Sequence, residues 1–96
     1  MNFRTLKQNL SQSFDKIKAA TTNGEMPDKR DIEQFARLTR LFHAQAQEGW
    51  AGEVEDFCLL VEQLHLAVRK KQFEEVVMLV DSLEDAQNYC HRLFQA

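Results

Sequence analysis

The chain has 96 residues, 12 basic and 15 acidic, for a net charge of −3, which makes it one domain able to bury a single core without metal or disulfide support. That balance lacks the strong positive field on which phosphate-backbone binding draws, so nucleic acid is not an expected partner. One proline and three glycines, among plentiful Glu, Gln, Lys, Leu and Ala, make a helix-former's composition.

The first helix is expected over about residues 2–22, where Phe3, Leu6, Leu10, Phe14 and Ile17 recur at three- and four-residue spacing. Residues 1–8 contain no apolar stretch of the length a secretory signal needs, and the apolar run Val76 to Val80 is far short of the ~20 residues of a membrane span. A cytoplasmic protein with Cys58 and Cys90 as reduced thiols follows as the expectation. Thr22-Asn23-Gly24 offers a left-handed stop. Pro27-Asp28 then opens a second helix over about 28–48, with the proline and the carboxylate both suited to a first turn. Its buried stripe is expected to be Ile32, Phe35, Leu38, Thr39, Phe42 and Ala46.

Gly49-Trp50-Ala51-Gly52 breaks the pattern, and Trp50 is expected to close one end of the molecule. Val54, Phe57, Val61, Leu64 and Val68 define a third helix over about 53–70, closed by Arg69-Lys70-Lys71 at the negative end of its dipole. The fourth helix, about 73–95, buries Phe73, Val76, Val80, Leu83 and Phe94. The expected architecture is a single-domain, all-α, antiparallel up-down-up-down four-helix bundle.

Three constellations carry chemistry. Gln87-Asn88-Tyr89-Cys90-His91 has the last two positions of the haem-attachment sequence C-x-x-C-H, with Gln87 where the first cysteine would stand. At about 100° per residue Gln87, Cys90 and His91 border one inward-facing surface of the fourth helix. Glu62-Gln63-Leu64-His65 is a Glu-x-x-His unit, and Cys58, Glu62 and His65 on neighbouring turns could supply part of a metal site. A di-iron bundle uses two such units plus two further glutamates, and only one unit occurs here. His43 and His65 are mid-helix candidates for phosphotransfer, though the glycine and lysine of that motif are absent. No nucleophile has a base placed beside it, and enzymatic activity is not expected.

The segment from Lys70 to Val76, continuing from Leu83 through Cys90-His91-Arg92-Leu93-Phe94, resembles the final helix of cytochrome c-prime proteins. It is also similar to the XXXCH domain family, in which only the cysteine and histidine of the haem box remain. The resemblance implies a c-prime-like bundle in which His91 corresponds to the proximal iron ligand and Cys90 to a thioether cysteine. Leu6, Leu10 and Phe14 would line the opposite side of the pocket, leaving any haem five-coordinate. With Gln87 in place of the first cysteine, no bound cofactor is expected, and haem held through His91 is the alternative.

Several apolar residues fall off the buried stripes: Leu41, Leu59, Leu66, Met78 and Tyr89. Leu59 and Leu66, seven residues apart on one outer face, point to an interaction surface, either for a protein partner or for a homodimer. The expected function is therefore that of a small helical binding or adaptor protein.

Overall fold

A computed structural model of the chain describes residues 3–45 and 51–94, apart from the side chains at 3, 51, 53 and 89–94. Four helices form: α1 (Phe3–Thr22), α2 (Lys29–Ala44), α3 (Ala51–Arg69) and α4 (Phe73–Phe94). Helices adjacent in sequence touch, α4 closes the ring against α1, and among the described residues no diagonal pair meets. The molecule measures 35 × 22 × 19 Å, and its long dimension matches one helix of about 20 residues at ~1.5 Å per residue. The helices therefore run side by side, and the short connections make sequence neighbours antiparallel. This is the all-α four-helix bundle that the periodicity predicts.

Helix ends depart from expectation for local reasons. The second helix begins at Lys29, because Asp28 is its N-cap: Asp28 is extended at φ −65° and ψ 138°, and its Oδ1 accepts the Arg30 N–H at 2.8 Å. Pro27, expected inside the first turn, is buried just outside it. That helix stops at Ala44, short of residue 48, where the Gln45 N–H turns back onto the carbonyls of Phe42 and His43. Ala46 and Trp50 lie outside the described residues. The third helix starts at Ala51, so Gly52 is helical and not part of the break; burial of Val54 at 1% exposure outweighs the ~1 kcal/mol that one helical glycine costs.

The first and third helices end in the same hydrogen-bond motif. At the end of α1 the Gly24 N–H donates to Thr21 O at 3.1 Å and the Glu25 N–H to Ala20 O at 2.8 Å, with Gly24 at φ 75°. At the end of α3 the Lys71 N–H donates to Val68 O at 3.1 Å and the Gln72 N–H to Ala67 O at 3.0 Å, with Lys71 at φ 58°. Both are Schellman caps that satisfy carbonyls left over at a helix end. Glycine adopts this conformation freely, whereas lysine does so against its Cβ.

The core joins Leu6, Leu10, Phe14 and Ile17 of α1 to Ile32 and Phe35 of α2, Phe57, Val61 and Leu64 of α3, and Val76, Val80 and Leu83 of α4. Phe14 stacks on Phe35 with ring centroids 5.3 Å apart, and Phe35 meets Phe57 edge-on at 6.1 Å. Thr39 is buried among them, its hydroxyl donating to Phe35 O at 2.8 Å. Among the described residues no buried side-chain N or O lacks a partner, the condition that low-dielectric packing imposes. None of the described helices is long and apolar enough to cross a membrane.

Candidate functional site

The haem-like pentapeptide begins inside α4, where Gln87 is half-buried and Ala86 packs against the core. The side chains of Tyr89, Cys90 and His91 lie outside the described residues. On α1, Leu6 and Phe14 are essentially inaccessible and Leu10 nearly so. All three belong to the packed cluster that includes Ile17, Phe35 and Leu83. The open groove between α1 and α2, lined by Asn9, Gln12, Ser13, Lys16, Asp31, Gln34 and Leu38, contains none of them.

Cys58 is half-buried on the side of α3 that meets α2, and its thiol points to the Thr39 carbonyl at 3.9 Å. Burial pushes this thiol above the ordinary range, Glu62 and Glu55 push it further the same way, and Arg40 opposes them. A thiol held in its protonated form is a poor metal ligand, since metals bind thiolate. Glu62 is exposed and His65 half-buried. Among the described residues no three His, Cys, Asp or Glu side chains gather where they could hold a metal ion. His43 is exposed in the last turn of α2.

The remaining candidate is the outer face of α3. Leu59 is 55% exposed and Leu66 48%, and residues seven apart on a helix lie within about 20° of one another. They form a short apolar seam. Glu55, Glu62 and Arg69 run along one side of it and Asp56, Gln63 and Lys70 along the other, all exposed. Lys70 keeps the helical register because its N–H donates to Leu66 O at 3.0 Å. Sequence reasoning treats Arg69-Lys70-Lys71 as a helix terminator. The repeat Glu55-Glu62-Arg69, at the same seven-residue interval as the leucines, is the signal that links that basic run to the apolar seam. Met78 and Leu41 are also exposed, but neither has a large apolar residue seven positions away on its own helix.

No protein-family model, curated protein or solved structure matches this chain.

Proposed function

We propose that the chain is a small cytoplasmic binding module, a non-catalytic bundle related to the cytochrome c-prime architecture, that engages another protein surface through the outer face of α3. The observation that carries this reading is the exposed pair Leu59 and Leu66 on one face of a helix whose opposite face is packed. Isolated exposed leucines are ordinary, but two in one seam with charged flanks have the anatomy of an interface, an apolar centre inside a polar rim.

The test is a photo-crosslinking side chain placed at position 59 or 66 in growing cells, with the exposed Gln8 as the control position. Adducts of defined mass at 59 and 66 but not at 8 support the reading. Equal or absent adducts at all three positions overturn it. A five-coordinate haem on His91 is the rival reading, supported by the half-buried Gln87 at the head of its pentapeptide.

A further inference from the structure

We infer that the α3 face binds a second copy of this chain, with the two α3 helices antiparallel across a two-fold axis level with Glu62 and Gln63. This rests on the reading of that face as a binding surface and names its occupant. Charge registry selects this arrangement. Viewed down α3 at about 100° per residue, Glu55, Glu62 and Arg69 lie roughly 30–70° to one side of the seam, and Asp56, Gln63 and Lys70 at matching angles on the other. Acidic residues stand at the start of each flank and basic residues at its end.

A two-fold axis that reverses the helix direction keeps each flank on its own side and inverts its order. Leu59 then lies against Leu66 of the second copy, and each copy's Glu55 meets the other's Arg69. On the opposite flank Asp56 meets Lys70. Among the described residues none of these four charges makes an ion pair within its own chain, so all four are free to pair across the axis. A parallel arrangement would instead set Glu55 against Asp56 of the second copy at one end and Arg69 against Lys70 at the other, like charge on like. Such charge patterns select partner and orientation in helix pairs. The one like-charged meeting in the antiparallel register is Glu62 with Glu62, on the flank near the axis.

With two leucines per copy the seam is at the small end of protein interfaces, so association is concentration-dependent. In sedimentation equilibrium of the full chain the average mass is expected to climb from 11.2 kDa toward twice that value. Leu59→Glu with Leu66→Glu abolishes the climb. Either half-swap, Glu55→Arg with Asp56→Lys or Arg69→Glu with Lys70→Glu, weakens association at least about tenfold by turning four attractions into repulsions. The quadruple swap restores it, because the reversed charges face each other again. Glu62→Gln strengthens it. Circular dichroism confirms that each variant stays helical.

A wild-type chain that keeps monomer mass up to about 1 mM overturns the proposal. So does a quadruple swap no better than the half-swaps. If the crosslinker at position 59 captures a different protein while the wild type stays monomeric, the second copy is overturned and the binding face stands. If it captures nothing, both fall.

Discussion

Replacing Lys71 with glycine is expected to stabilise the bundle. Lys71 holds φ at 58° in the turn between α3 and α4, is exposed, and closes the α3 cap with its N–H on Val68 O. A β-carbon in that region costs about 1–2 kcal/mol, and the greater freedom of glycine in the unfolded chain takes back roughly 0.5–1 kcal/mol. Loss of a cation at the negative end of the helix dipole removes about 0.3 kcal/mol more. A net gain of about 0.5 kcal/mol remains, which raises Tm by roughly 2–4 °C in a domain of this size. Lys71→Gln keeps the β-carbon and drops the charge, so it isolates the dipole contribution and falls slightly below wild type. Lys71→Asn, whose side chain tolerates the left-handed region, falls between wild type and glycine. Thermal and urea unfolding followed by circular dichroism measures all three, and an unchanged urea slope shows that the effect lies in stability and not in compaction of the unfolded chain. The mirror experiment is Gly24→Ala: Gly24 sits at φ 75° with nothing within 4 Å of where a β-carbon would stand, so its expected loss of about 1 kcal/mol is purely conformational. A Lys71→Gly protein no more stable than Lys71→Gln, or a Gly24→Ala protein as stable as wild type, would refute this account of the caps.

Phe14→Ala removes a ring buried to 1% exposure and stacked on Phe35, and calorimetry or urea unfolding is expected to show a loss of about 3–5 kcal/mol. In a Cys90→Ser background, alkylation of Cys58 is expected to rise with a midpoint above the ordinary thiol value of about 9, because burial and then the nearby Glu62 and Glu55 favour the protonated form. The folded chain holds this proton more tightly than the unfolded chain, so the contribution to stability is complete below pH 9 and is lost as pH climbs above it. A midpoint at or below 9 would contradict the buried thiol. Haemin added to purified protein is expected to give no shifted Soret band dependent on His91; a band that disappears in His91→Ala would replace the binding-module reading with a five-coordinate haem.

The core was legible in the sequence because its spacing is helical and its residues are large. Leu6, Phe14, Ile32, Phe35, Val61, Leu64 and Val76 recur where a stripe demands them, and all are buried. Ala36, Ala67 and Leu79 are also buried and escape that reading. Each helix packs on two neighbours in this ring, so the buried arc is wider than one stripe and takes in residues at its edge, small ones included. Helix ends were legible where a residue type advertises the conformation, as Gly24 does. Lys71 in the same conformation carries no signal, because the demand comes from the three-residue connection between α3 and α4. The resemblance sets Leu6, Leu10 and Phe14 along a pocket wall, and the stripe they form on α1 is the one that predicts them as core, where all three are buried.

The third helix explains why the exposed apolar residues are unequal. Its Val54, Phe57, Val61, Leu64 and Val68 are buried, and it touches α2 and α4, so the fold already has what it needs from this element. Leucine at 59 and 66 adds nothing to that packing, and lysine or glutamine would serve the helix about as well. Glu62 and Gln63, exposed between the two leucines, show that polar side chains fit that face. Met78 is more exposed than either leucine, at 66%, yet it stands on α4 with Glu74, Glu75, Asp81 and Ser82 on the neighbouring turns and has Lys71 and Asp85 at the seven-residue positions. An isolated apolar side chain ringed by acids cannot form a dry centre, whereas a repeating pair can. Sedimentation therefore separates the two: Met78→Glu leaves the average mass unchanged at every concentration, and Leu59→Glu alone lowers it. Equal effects from both variants would mean that exposure, and not the geometry of the α3 seam, governs association.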